Sequence, residues 1–124
     1  MICHFILYVS NQAASTDFYR KSLAIEPTLN EPGMTEFKLG ENCILGLMPS
    51  SGIKKLLGDT IADPESAHGV PRAEIYLRVS DPEKAIERAI LSGAKMLSQF
   101  QERNWGAKAG YVIDHDGHVL AFST

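Results

Sequence analysis

Two stretches of the chain, "HFILYVSN" at 4–11 and "EIYLRVSD" at 74–81, carry nearly the same alternation of apolar and polar positions. Leu77 falls on Leu7, Val79 on Val9 and Ser80 on Ser10. The period of two predicts a strand in each. One face of the first strand holds Phe5, Leu7 and Val9, and the same face of the second holds Ile75, Leu77 and Val79. These apolar faces are expected to pack on helices. The opposite faces carry His4, Ile6 and Tyr8, and Glu74, Tyr76 and Arg78. A mixed polar and aromatic face is costly to bury dry and suits a ligand-lined concavity, with a solvated sheet face as the alternative.

Each strand then gives way to a helical pattern. In "QAASTDFYRKSL", Ala14 and Phe18 stand one helical turn apart, and Asn11 sits where an N-cap is wanted. In "PEKAIERAILSG", Asp81 is the cap and Pro82 the first helical residue. Ile86, Ala89 and Ile90 form the apolar stripe there, and Gly93 ends the helix. Strand-like pairs follow both helices: "TEFKLG" and "CILGLMP" around the turn "EN", then "AGYVID" and "HVLAFST" around "HDG". A short strand is expected ahead of each pair, near 27–29 and 95–97. Each half therefore reads β-α-β-β-β. The connection at about 50–72 is turn-like, with one or two helical turns in "GIKKLLGD".

The whole is read as a single domain, 1–124, with module one at about 1–49 and module two at about 73–124. A chain of 124 residues buries about two-thirds of the surface that it exposes when unfolded. The net charge of −3 gives no electrostatic reason to approach nucleic acid or anionic lipid. No apolar run approaches the roughly 20 residues that cross a bilayer. Cys3 and Cys43 lack a CxxC spacing and suit a reducing cytoplasm, where the protein is expected. They read as partly buried free thiols, with a disulfide or a reactive thiol as the alternative.

Several residues are candidates for chemistry. "DHDGH" at 114–118 looks metal-rich but reads as a hairpin turn with Gly117 at positive φ. Arg78 suits an anionic ligand. Tyr8 and Tyr76 offer flat apolar area with a hydroxyl handle. Met48 is placed to border a cleft or to fill the core. No Ser-His-Asp pattern, phosphate loop or paired-acid constellation stands out.

"HFILYVSNQAASTDFYRKSLAIEP" resembles the opening strand and helix of the vicinal-oxygen-chelate superfamily, which includes glyoxalase I, bleomycin-resistance proteins and extradiol dioxygenases. "NWGAKAGYVIDHDGHVLAF" resembles the closing segment of the same superfamily. The resemblance implies an α+β fold in which two βαβββ modules form a cupped mixed sheet with helices on the outer face. It also implies a homodimer whose sites form where modules meet. In the metalloenzymes of that superfamily, metal ligands come from the first and last strand of each module. The matching positions here are His4, Gly46, Glu74 and Ala121, and two of these have no ligating side chain. Cys43 and His118 stand an odd number of residues from Gly46 and Ala121, which puts each on the other strand face unless a bulge intervenes. In the resistance proteins, aromatic residues wall a ligand cleft, and Trp105 matches that role.

The expectation is therefore a small-molecule-binding protein with no bound metal and no cofactor. Its ligand would touch His4, Tyr8, Met48, Glu74, Tyr76, Arg78 and Trp105 in a dimer cleft. The alternative is a glyoxalase-like lyase, or a dioxygenase-related enzyme, with a degenerate metal site or metal-independent chemistry on Glu74 and His4. A third reading is a regulatory or structural module with no small-molecule ligand.

Overall fold

The alternation at 4–11 becomes β1 (Cys3–Val9), followed by α1 (Gln12–Leu23), β2 (Leu29–Glu31), β3 (Met34–Gly40) and β4 (Cys43–Pro49). After the connection, which contains α2 (Ser50–Leu57), come β5 (Glu74–Arg78), α3 (Pro82–Leu91), β6 (Lys95–Glu102), β7 (Lys108–Ile113) and β8 (Val119–Ser123). This computed structural model describes residues 1–124. It divides into two units, 1–20 with 24–68, and 21–23 with 69–124.

Each unit contains a four-stranded mixed sheet, in the order β1-β4-β3-β2 or β5-β8-β7-β6. The first strand of each half pairs in parallel with the last, and the remaining pairs are antiparallel. A parallel pair needs a long crossover. Here the intervening helix and strands supply it.

The helix starts follow the capping chemistry. The Ala14 amide donates to Asn11 Oδ1 at 3.0 Å and the Lys84 amide to Asp81 Oδ1 at 3.1 Å. The backbone hydrogen bond from Lys84 is the main cause that holds the Asp81 carboxyl below its ordinary value. Beyond α3, Gly93 takes φ 110°, and a Cβ there would lie 2.6 Å from His115 Nε2. Only glycine suits both the dihedral and the space.

In the first unit the covered face of the sheet carries Leu7, Val9, Thr35, Phe37, Leu45 and Leu47, all buried. Each fully buried Leu or Phe of this kind stabilises by about 1.5–3 kcal/mol. The buried residues of α1 are Ser15, Thr16, Phe18, Tyr19 and Ser22, while Ala14 is exposed. The expected Ala14–Phe18 stripe is thus turned. The helix is fixed instead by the Thr16 and Thr35 hydroxyls, 2.8 Å apart, and by Gln12 Nε2, which donates to Thr35 Oγ1 at 2.9 Å. Phe5 lies on the expected face but stays 41% exposed, because it sits near the start of the strand.

In the second unit the covered face holds Val112, Leu120 and Phe122 beneath Ala85, Ile86 and Ala89 of α3, all buried. Ile86 Cδ1 occupies the space that a side chain at Gly110 would fill. Ile90, expected in the stripe, is only half-buried.

Two strands differ in extent from the sequence reading. The short strand expected near 27–29 is β2 at Leu29–Glu31. The one expected near 95–97 is β6, which continues to Glu102 with two register shifts. An edge strand with polar residues hides from a search for apolar runs. In the connection, α2 runs from Ser50 to Leu57 and two short 3-10 turns follow. Lys54 Nζ closes the α2 C-terminus by donating to the carbonyls of Gly58 at 2.8 Å and Ile61 at 2.9 Å.

Candidate functional site

The uncovered face of the first sheet is built by register. The β1–β4 ladder sets His4 beside Ile44, Ile6 beside Gly46 and Tyr8 beside Met48. The β3–β4 ladder then puts Glu36 opposite Gly46. With no side chain at Gly46, Ile6 and Met34 lean over it: a Cβ there would lie 3.0 Å from Ile6 Cγ1 and 3.4 Å from Met34 Sδ. His4 Nδ1 reaches Glu36 Oε1 at 3.3 Å. The His4 side chain is 42% exposed and that of Glu36 22%, so this pair is wetted and both groups remain open to a ligand. Tyr8 is 39% exposed. Met48 is half-buried, with its methyl group beside Gly52 of α2.

The uncovered face of the second sheet is aromatic. Tyr76 lies opposite Ala121, and so does Tyr111 from the other side. The Tyr76 hydroxyl donates to Ser123 Oγ at 2.8 Å and accepts from the Trp105 indole N–H at 3.2 Å. Trp105 stands in the hairpin between β6 and β7, where Gly106 takes φ 88°. That hairpin is closed by the Arg103 amide donating to the Ala107 carbonyl at 2.9 Å. Arg103 braces it further, donating to the Ala109 carbonyl at 2.8 Å, Ser98 Oγ at 2.9 Å and the Gln99 carbonyl at 2.8 Å. Its guanidinium lies 5.1 Å from the Tyr111 ring centre, a cation–π distance.

The two phenols of this face are pushed in opposite directions. The Ser123 hydrogen bond, then the Trp105 indole, hold Tyr76 below the ordinary tyrosine value. Burial, then the neighbouring Glu74 carboxylate, raise Tyr111, against the pull of Arg103.

Seven residues were expected to line a ligand site. Tyr76 and Trp105 are brought together by a hydrogen bond. His4, Tyr8 and Met48 lie on the uncovered face of the first sheet, and Glu74 and Arg78 on that of the second, at the two ends of β5. Glu36, Tyr111, Ser123 and Arg103 were missed. Their signal lay in the pairing of strands rather than in any one strand.

The positions that the resemblance matches to metal ligands hold His4 and Gly46 in the first unit and Glu74 and Ala121 in the second, with His4 paired to Ile44 and Glu74 to Val119. Gly46 and Ala121 offer no donor atom. Within the first unit the donors at that place are His4 and Glu36, and within the second Glu74 and the Tyr111 phenol. This is not the ligand set of the metalloenzymes, and no step is routed through a metal. Cys43 cannot replace Gly46, because the β1–β4 ladder runs without a bulge and keeps the two on opposite faces. His118 lies ahead of β8, with Nδ1 bonded to Asp114 Oδ2 at 2.9 Å. Asp114 Oδ1 accepts from the Asp116 and His118 amides at 2.9 and 2.8 Å, and Gly117 takes φ 91°. The metal-rich "DHDGH" is thus a hairpin turn held by its own first carboxylate.

Comparison with known proteins fits this geometry. An uncharacterized protein of Mycobacterium bovis is 28% identical over 116 residues, covering 90% of this chain and 75% of that protein. A glyoxalase-related enzyme from Fulvimarina pelagi has a similar structure, with a TM-score of 0.83 at 18% identity, over 99% of this chain and 86% of that one. A glyoxalase/bleomycin resistance protein/dioxygenase from Nocardioides matches with a TM-score of 0.75 at 23% identity, over 99% of this chain and 82% of that one. No helix is long and apolar enough to cross a membrane. The family model that matches residues 1–122 spans both repeats, from β1 to β8, and the chain therefore belongs to the Glyoxalase/Bleomycin resistance protein/Dioxygenase superfamily.

Proposed function

We propose that the protein binds a small aromatic or polar molecule, without a metal, on the uncovered sheet faces, and that it does so as a homodimer. The observation that carries this reading is the Trp105–Tyr76–Ser123 chain. It fixes an indole that is 55% exposed, so a flat apolar surface stands ready with little rotamer entropy left to lose on binding. Tyr111 and Glu74 add a hydroxyl and a carboxylate, and His4 and Glu36 an imidazole and a second carboxylate.

Trp105 is the only tryptophan of the chain, so its fluorescence reports on this place alone. A thermal-shift screen of small aromatic compounds, followed by titration of indole emission, tests the reading. A ligand at about 100 times its Kd adds roughly 2.7 kcal/mol of stability. Saturable quenching together with that shift is expected, and both weaken in Tyr76→Phe. A broad screen with neither signal would defeat the proposal. Sedimentation at micromolar concentration tests the dimer separately.

A second reading is metal-independent proton transfer on the same face, where Tyr76 and Tyr111 both stand opposite Ala121 and Glu74 begins the neighbouring strand. Turnover of a bound carbonyl compound, lost in Tyr111→Phe while binding persists, would move this reading to first place.

A further inference from the structure

The rung that opens the parallel β1–β4 ladder pairs Cys3 with Cys43. Both are exposed free thiols rather than the partly buried ones that the sequence suggested. Neighbouring strands lie roughly 4.7–4.9 Å apart, inside the Cα separation of about 4.4–6.8 Å that a disulfide spans. Directly paired residues also project from the same face of a sheet. The rung is held at its start by the Cys3 amide, which donates to the Asn42 carbonyl at 2.9 Å. Ile2, Glu41 and Asn42 beside it are exposed as well, so small reagents reach both sulfurs.

We propose that Cys3 and Cys43 are a redox-active dithiol, which closes to a cross-strand disulfide by exchange with a low-molecular-weight disulfide. One protein thiolate attacks a sulfur of the small disulfide; a mixed disulfide forms and one small thiolate leaves. The second protein thiolate attacks the protein sulfur of that mixed disulfide and the second small thiolate leaves. The protein dithiol is oxidised, the small disulfide is reduced to two thiols, and the protons of the protein thiols end on the leaving groups. The next rung pairs His4 with Ile44. Closure pins the strand end that carries His4, so the dithiol state bears directly on the face where His4 meets Glu36.

The test equilibrates the full chain with mixtures of glutathione and glutathione disulfide, quenches with acid, and counts free thiols by alkylation and intact mass. The expected product has lost both thiols together, is lighter by about two mass units, and carries no glutathione. In Cys3→Ser and in Cys43→Ser the remaining cysteine keeps its glutathione, so the mixed disulfide accumulates at least about 10-fold above the unmutated chain, where the partner resolves it. Three results overturn the proposal: stable glutathione adducts on the unmutated chain, disulfides between chains on a non-reducing gel, or thiols unreacted at the most oxidising ratio. Each is read on the unmutated protein and stands whether or not the variants fold.

Discussion

The two sheets share their covered faces and differ on their uncovered ones. Leu45 and Leu120 hold equivalent places, as do Leu47 and Phe122, and Phe37 and Val112; all are buried and apolar. On the uncovered faces, Glu36 stands where the second sheet has Tyr111, His4 where it has Glu74, and Gly46 where it has Ala121. Packing against a helix accepts any apolar side chain of suitable volume, so the repeat persists there. The other face is under no packing constraint from the helix, and its chemistry has diverged into an imidazole–carboxylate contact in one unit and a braced aromatic cluster in the other.

The helix contact itself separates the units and gives the largest expected effects. Thr16 and Thr35 make a hydroxyl pair in the first unit; at the matching places the second unit has Ile86 and Gly110, a side chain seated in a vacancy. Gly110→Leu should cost about 2–3 kcal/mol in urea denaturation, because the new Cβ meets Ile86 Cδ1 and lies 3.1 Å from the Phe100 amide nitrogen. Grafting threonine at both places, Ile86→Thr with Gly110→Thr, sharpens the test. If the contacts are interchangeable, the double variant is more stable than the sum of the single ones by at least about 0.5 kcal/mol; strict additivity would break the equivalence.

Thr35→Val comes next, with an expected loss of about 1–3 kcal/mol by the same measurement. It strips a partner from the buried Thr16 hydroxyl and from Gln12.

A third test uses pH. Burial disfavours the charged His118 imidazole, but the hydrogen bond and charge of Asp114, with Asp116, outweigh it and raise the His118 value. A raised folded value means that the stabilisation is full below the unfolded imidazole value of about 6.5 and fades as pH rises through the folded one. Denaturation across pH 6 to 8, a window of roughly one unit either side of neutrality, should therefore show stability falling, and Asp114→Asn should flatten that slope. The turn of the first unit, at Glu41 and Asn42, has no histidine to match His118.

The smallest effect belongs to the wetted pair. His4→Ala or Glu36→Ala should change stability by about 0–1 kcal/mol, since a polar contact open to water contributes little. A loss well beyond that would mean that His4 is structural rather than free for a ligand.

Period and caps made most of the fold legible. Asn11, Asp81 and Pro82 fixed both helix starts, and the duplicated alternation put Leu7 and Val9 on the covered face of β1, while Ile75 and Leu77 of β5 are only half-buried. The site was legible only in part, because Glu36 depends on register. The tight turn pairs Gly40 with Cys43, and simple counting from there would set Glu36 against Leu47 on the covered face. An irregularity between Lys38 and Gly40 shifts the ladder and brings Glu36 to Gly46 instead. The clue was available: Phe37, Leu45 and Leu47 share a buried face only if that extra residue exists. Arg103 and the length of β6 were hidden for another reason. A polar edge strand has no period that apolar residues mark, and the hydrogen bonds that brace its hairpin come from a guanidinium to carbonyls, which no local pattern announces.

The parallel pairing of first strand with last has a consequence for how the chain acquires its structure. Cys3 cannot find Cys43, nor Glu74 find Val119, until everything between them has left the ribosome. The antiparallel hairpins β3–β4 and β7–β8 close short loops and should form early; β1 and β5 are captured late, at the entropy cost of a long loop. During synthesis, β1 therefore spends its time as an unpaired strand bearing Phe5, Leu7 and Val9. The helix that follows it, nucleated by Asn11, is the one local structure available to shield those side chains. Pulsed hydrogen exchange during refolding should accordingly show the amides of β4 that face β3 protected before those that face β1.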